Sequence, residues 1–246
     1  MIPETFASEA DLGAALGRRV INLIRRHPTL VIGLPTGRTP IALYDELARL
    51  TRLENVDWAS VRTFNLDEFV GLGAGDAGSY RRFMQTRFFD HVNLRDEHIG
   101  FLDGRAPDLE EECARYEQAI ADAGGIDLMI LGIGSNGHVG FNEPADTLVA
   151  RTHKATLDLP TRASNALWFD GEIARVPREA LTVGMATILG ARSLVLIGTG
   201  ESKAEAVNAV LTGGITTRVP ASFLTLHPQV TMMFDEPLAE ALATLR

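Results

Sequence analysis

Apolar positions along this chain switch repeatedly between a helical period and short unbroken runs, and that switching predicts the architecture. Leu12, Leu16, Val20, Leu23 and Ile24 recur at helical spacing over 8–26, with Ser8 placed as an N-cap. The run 29–34 reads as a strand, and Pro40 then suits the first turn of a helix carrying Leu43, Leu47 and Leu50. The same reading places strands at 61–67, 98–102, 126–133, 193–197 and 230–234. It places helices at 79–92, 109–123, 162–169, 177–189 and 238–245, and one that opens at 198–203 and runs to 211. The run 126–133 is bounded by glycines and lacks polar alternation, as expected of a strand buried on both faces. Strands and helices alternate throughout, which predicts an α/β fold: a mostly parallel, open, Rossmann-like sheet with helices on both faces. No repeat, low-complexity segment or linker divides 1–246, so a single domain is expected.

Composition narrows the function classes. A net charge of -9 disfavours nucleic acid or an anionic membrane as a partner, while leaving a small anionic substrate open because local loop charges decide that. Cys113 is the single cysteine, so neither an intrachain disulfide nor a thiolate metal cluster is expected. The six histidines show no carboxylate cluster at ligand spacing, and no metal site is expected. No apolar run is long enough to span a bilayer, and the first residues lack the basic and apolar regions of a signal peptide. A cytoplasmic enzyme is the expectation.

The stretch 124–144 organises the chain. Its buried strand runs into a glycine-dense loop that delivers His138 and Glu143 to the sheet edge where open α/β folds bind ligands. Gly132-Ile-Gly134-Ser-Asn-Gly137 satisfies G-x-G-x-x-G, but the dinucleotide motif needs a helix to begin within it. Val139-Gly140-Phe141-Asn142-Glu143-Pro144 has no helical period and ends in proline, so NAD binding is not expected. Three other loops add candidate chemistry. Thr36-Gly37-Arg38-Thr39-Pro40 joins a strand to a helix start, where free N–H groups and the planar Arg38 cation suit a phosphate. Asn65 and Asp67 share a face if their strand persists; Asp67 then suits a proton shuttle, with Glu68 structural. Lys203 lies in the first turn of a helix, against the helix dipole, which hints at a nearby anion. Each loop alone would equally suit an ordinary turn.

Together these residues carry a family resemblance. Gly33-Leu-Pro-Thr-Gly-Arg-Thr-Pro40, Thr63-Phe-Asn-Leu-Asp-Glu-Phe-Val-Gly71, Gly132-Ile-Gly-Ser-Asn-Gly-His-Val-Gly-Phe-Asn-Glu-Pro144 and Pro220-Ala-Ser-Phe-Leu-Thr-Leu-His-Pro228 resemble the glucosamine-6-phosphate deaminase family. The likeness includes Ser79-Tyr-Arg-Arg-Phe-Met and Val176-Pro-Arg-Glu-Ala-Leu-Thr-Val-Gly184, and so covers nearly the whole chain. The resemblance implies conversion of glucosamine 6-phosphate and water to fructose 6-phosphate and ammonia, without a cofactor, by a monomer or homo-oligomer. It implies that Asp67 moves a proton from C2 to C1, and that His138 opens the pyranose ring with Glu143 orienting and charging it. It implies a phosphate site at Thr36, Gly37, Arg38, Thr39 and Lys203 with Gly132, and a mobile lid around 146–182.

Three positions depart from the family pattern. Asn136 stands where some members have aspartate, which places less negative charge around His138. Leu167 stands where the family usually has a phosphate-binding arginine, and Arg38 stands where its first loop usually has glycine. Arg38 is therefore expected to supply the missing guanidinium from the opposite side of the phosphate. The segment after Pro144 does not match the basic set that binds an acetylated sugar phosphate in some members, so hyperbolic kinetics without such activation are expected. A 6-phosphogluconolactonase-like hydrolase, a galactosamine-6-phosphate deaminase and a non-catalytic sugar-phosphate sensor are the rival readings. Trp168 and Phe169 are read as packing residues, and His227 as structural.

Overall fold

A computed structural model of the chain describes residues 3–245. Its elements begin with β1 (Glu4–Phe6), α1 (Glu9–Arg26), β2 (Val31–Leu34), α2 (Ile41–Glu54), β3 (Arg62–Asn65), β4 (Asp67–Phe69) and α3 (Tyr80–Arg87). There follow β5 (Ile99–Gly100), α4 (Leu109–Asp122), β6 (Leu128–Gly132), β7 (His153–Thr156), α5 (Leu159–Asn165) and β8 (Glu179–Thr182). The chain closes with α6 (Met185–Leu189), β9 (Ser193–Gly198), α7 (Ala204–Thr212), β10 (Val230–Asp235) and α8 (Glu236–Thr244).

Seven strands form a parallel sheet in the order β1-β10-β9-β6-β2-β3-β5. From β2 the chain winds outward through β3 to β5; from β6 it winds the other way through β9 to β10. The order reverses between β2 and β6, and the crevice beyond the carboxyl ends of such a pair is the usual ligand position. The period-2 geometry of β6 explains its unbroken apolar run. Leu128 and Ile130 join one core with α1, α2 and Met84 of α3, whereas Met129 and Leu131 join the opposite core with α4, α6, α7 and α8. The α1 prediction holds in detail: Ser8 accepts from Asp11 N, and Leu12, Leu16, Val20 and Ile24 are buried. Among the described residues, no helix is long and apolar enough to cross a membrane.

Three strand-level expectations need correction. The helix expected over 177–189 is instead β8 followed by the short α6. Pairing decides this: β8 is the middle strand of an antiparallel sheet β4-β8-β7, hydrogen-bonded on both sides. The helix expected over 162–169 is α5, which starts earlier and ends in a 3-10 turn at Ala166–Phe169. The strand expected over 61–67 breaks at Leu66, where the chain leaves the parallel sheet as β3 and enters the antiparallel one as β4. Asn65 and Asp67 therefore do not share a face of one strand; Asn65 is fully buried and donates to Leu34 O at 3.1 Å. The second sheet has its own small core, in which Phe69, Tyr80, Phe141, Leu157, Phe169 and Val176 meet.

Candidate active site

The carboxyl ends of β2, β6 and β9 lie side by side, so their loops converge. After β2, Gly37 turns the chain with φ +99°, a left-handed value that glycine adopts without steric cost. The following α2 has Pro40 at its N-cap; Ile41 N donates to Arg38 O at 3.2 Å, and no side-chain cap holds the N–H groups that follow, which suits an anion. After β9, Thr199 Oγ1 donates to Thr39 Oγ1 at 3.4 Å and ties the two loops together. Lys203 ends the 3-10 turn Glu201–Lys203, immediately before α7. Burial, then the charge of Arg38, pushes the Lys203 ammonium below its ordinary value, so two cations face a common space. Gly132 ends β6 between these loops, and a Cβ there would meet nothing within 4 Å.

The crossing from β3 to β4 positions Asp67. Its carboxylate is 6% exposed and accepts from Thr36 Oγ1 at 3.2 Å. Burial raises the Asp67 pKa to about 7; the Thr36 hydrogen bond lowers it and the charge of Glu68 raises it. A carboxylate tuned to neutrality suits reversible proton transfer. Glu68 is structural, as expected. Its carboxylate accepts from Tyr80 N, Arg81 N, Phe69 N and the Ser79 hydroxyl, and so occupies the N-terminus of α3.

The glycine loop packs against His138. No helix follows it; a bridge between Val139 and Asn142 turns the chain back. A Cβ on Gly134 would collide with the His138 ring. Gly140, at φ +56°, lies where a Cβ would come within 2.8 Å of Thr182 Oγ1 and 3.8 Å of Asp67 Oδ2. His138 Nδ1 lies 3.4 Å from Glu143 Oε2, and Asn136 Nδ2 donates to that same oxygen at 2.7 Å. Asn136 Oδ1 accepts from His138 N at 3.2 Å, so one side chain braces both partners. Burial disfavours the charged form of Glu143, but hydrogen bonds from His138, Thr161 and Asn136 and the His138 charge hold its carboxyl below the ordinary value. Gly134→Ala is expected to displace the imidazole and lower turnover by roughly 10²-fold, the scale of a misplacement of about 1 Å. Steady-state kinetics beside a thermal melt will show whether the loss exceeds any change in stability.

A cavity of about 470 Å³ gathers Thr36, Gly37, Arg38, Thr39, Asp67, Gly132, His138 and Lys203. That volume falls within the usual range for small-molecule sites, about 300–1,000 Å³. Glu143 and Asn136 stand behind His138, in contact with it. Leu167, 66% exposed, lines the cavity together with Arg38. The sequence did not reveal Tyr80, Phe141, Thr161, Ser164 and Asn165 as lining residues. Tyr80 lies in a stretch that carries the family resemblance, whereas nothing in the pattern of α5 marks Thr161. Trp168 packs on Phe83 as expected and also lines the cavity; Phe169 packs against Phe69. His227 is structural, with Nε2 2.8 Å from Ala191 O. Among the described residues, no group of three or more His, Cys, Asp or Glu side chains is placed to hold a metal ion.

The family model for glucosamine-6-phosphate isomerases and 6-phosphogluconolactonase matches residues 4–233. The chain belongs to this family. It is 44% identical over 232 residues to a glucosamine-6-phosphate deaminase of Clostridium perfringens, covering 94% of this chain and 96% of that protein. It is 45% identical over 226 residues to glucosamine-6-phosphate deaminase 1 of Giardia intestinalis, covering 92% of this chain and 85% of that one. A solved monomeric glucosamine-6-phosphate deaminase superposes with a TM-score of 0.95 at 41% identity, covering 98% of this chain and 100% of the other. A 6-phosphogluconolactonase from Trypanosoma brucei superposes with a TM-score of 0.73 at 21% identity over 98% of this chain and 99% of that one, which shows a shared fold alone.

Proposed function

We propose that the chain is a glucosamine-6-phosphate deaminase, which isomerises an amino-sugar phosphate and releases ammonia. The observation that carries this reading is the shared cavity, with a carboxylate tuned to about 7, an imidazole–carboxylate pair and two cations on one wall system. Deaminase relatives at 44–45% identity over most of the chain support it.

In this account the phosphate binds to the N–H groups and hydroxyls of the 36–39 loop, to Lys203 and to Arg38. His138 takes a proton from the anomeric hydroxyl and gives one to the ring oxygen, which opens the sugar. Asp67 removes the proton on C2, which leaves an enolamine spanning C1 and C2, and returns a proton to C1. The resulting imine at C2 adds water and expels ammonia, which leaves the ketose. Phosphate binding supplies energy remote from the reacting carbons and holds the open chain in place. The segment 146–182, which contains α5, acts as the lid of this cavity. We further read the enzyme as cytoplasmic and, like the solved monomeric relative, as a monomer.

The direct test is ammonia release from the 6-phosphates of glucosamine, galactosamine and mannosamine, beside hydrolysis of 6-phosphogluconolactone. Ammonia from glucosamine 6-phosphate supports the reading, whereas lactone hydrolysis alone assigns the chain to the rival chemistry. Arg38→Ala is expected to raise KM for the phosphorylated sugar by roughly 10-fold or more, the weight of one charge-assisted contact, with kcat little changed. An unaltered KM would mean that Arg38 does not replace the arginine absent at Leu167.

A further inference from the structure

The helix that covers the cavity turns a polar face inward. Thr161 and Asn165 lie one turn apart on α5 and are 2% and 9% exposed. Asn165 Nδ2 donates to Thr161 O at 2.9 Å, which orients the amide, and Asn165 Oδ1 accepts from the Tyr80 hydroxyl at 2.7 Å. Thr161 Oγ1 lies 3.3 Å from His138 Nδ1. Burying a hydroxyl and an amide is costly unless each finds a partner, so this face is stable only when α5 is docked on these groups.

We propose that Thr161 is a positioning residue for His138, through which docking of α5 fixes the imidazole in the state that can open a sugar ring. This rests on the ring-opening role of His138 given above. The Nδ1 contacts with Glu143 at 3.4 Å and Thr161 at 3.3 Å are both long, so neither alone holds the ring firmly and the two restrain it together. With Nδ1 protonated, its hydrogen is shared between Glu143 Oε2 and Thr161 Oγ1, and the Thr161 hydroxyl hydrogen is free for the carboxylate. Nε2 is then the nitrogen left to exchange a proton with substrate. Asn165 anchors the same helix to Tyr80, and Tyr80 stacks on Phe141, three residues after His138 in the chain, with ring planes 14° apart. The charged groups around the imidazole are Glu143 on its own loop, Asp158 at the N-cap of α5, Asp67 on β4, and Arg38 and Lys203 across the cavity. Acid–base competence and closure are thereby joined: the imidazole is fully set only when the helix excludes water from the substrate.

Thr161→Val keeps the branched shape and removes the hydroxyl, whereas Thr161→Ser keeps the hydroxyl and removes a methyl. The readouts are kcat, KM and the pH profile of ammonia release, with the tautomer signature of the His138 imidazole in nitrogen NMR spectra of substrate-free protein. Thr161→Val should lower kcat about tenfold, the weight of one hydrogen bond, with KM within about twofold. It should also weaken the Nδ1-protonated tautomer signature of His138, while the limb of the rate profile near pH 7 that Asp67 sets stays in place. Thr161→Ser should restore kcat to within about threefold of the parent. Asn165→Leu, which removes the Tyr80 anchor and the hydrogen bond to Thr161 O but leaves the Thr161 hydroxyl, should weaken the same tautomer signature. The proposal is overturned if Thr161→Val leaves kcat and the tautomer signature of His138 unchanged, or if Thr161→Ser is as impaired as Thr161→Val. A parent protein that releases no ammonia from any amino-sugar phosphate would defeat the proposed reaction, while the tautomer signatures of His138 would still decide the role of Thr161.

Discussion

Asp67→Asn is expected to lower turnover by about 10²–10⁴-fold or more, with little effect on substrate binding. The amide keeps the shape of the carboxylate and can still accept from Thr36, but it cannot take the proton from C2. The structure also sets the sign of two accompanying effects. The acid must be ionised to act as a base, so kcat/KM of the parent should rise with pH through about 7, where Asp67 titrates. Stability runs the other way. Folding raises the Asp67 pKa from 3.8 to about 7, so its contribution is most favourable below the lower value and is lost as pH rises through the upper one. Above neutrality the parent buries an ionised carboxylate that the variant lacks. Asp67→Asn should therefore melt at the same or a higher temperature at pH 8, while being nearly inactive. Activity assays and calorimetry on one preparation check both, and near-normal turnover would remove Asp67 from the mechanism.

His138→Gln should cost a similar factor, about 10²–10⁴ in kcat, because glutamine can hydrogen-bond to Glu143 but cannot give and take a proton near neutral pH. The two variants should differ in one respect. If His138 serves ring opening, an open-chain amino-alditol phosphate needs no such step and should bind His138→Gln nearly as tightly as the parent. Isothermal titration of that analogue into both proteins separates the roles. A large loss of affinity would mean that His138 holds the substrate and does not merely open it.

Much of this arrangement was legible in the sequence because parallel strands and their loops obey local rules. The unbroken run ending at Gly132, the proline at the start of α2 and the periodic Leu12, Leu16 and Val20 each report their environment without help from distant residues. The loops carrying Thr36, Asp67, His138 and Lys203 could be named from strand-end position, and the structure brings all four to one cavity. What escaped depends on pairing across the chain. β8 reads as part of a helix until Asp67–Phe69 and His153–Thr156 flank it on both sides. The break at Leu66 is invisible for the same reason, since β3 and β4 are consecutive residues in different sheets. Thr161 and Asn165 are hidden differently. A polar pair one turn apart normally marks a solvated face, and only the approach of His138 and Tyr80 turns that face into an interior. The glycines show the converse. Their spacing imitates a dinucleotide loop, but the space at Gly134 is filled by the His138 ring.

In the proposed complex one sugar phosphate lies with its phosphate on the cations and its C1 and C2 beneath Asp67, with His138 at the ring-oxygen end. A crystal structure with an open-chain amino-alditol 6-phosphate tests this most directly. The phosphate should lie between the 36–39 loop and Lys203, a carboxylate oxygen of Asp67 within about 3.5 Å of both C1 and C2, and His138 Nε2 within hydrogen-bond reach of the hydroxyl that corresponds to the ring oxygen. An analogue seated with its phosphate away from Lys203, or with C1 and C2 out of reach of Asp67, would contradict it.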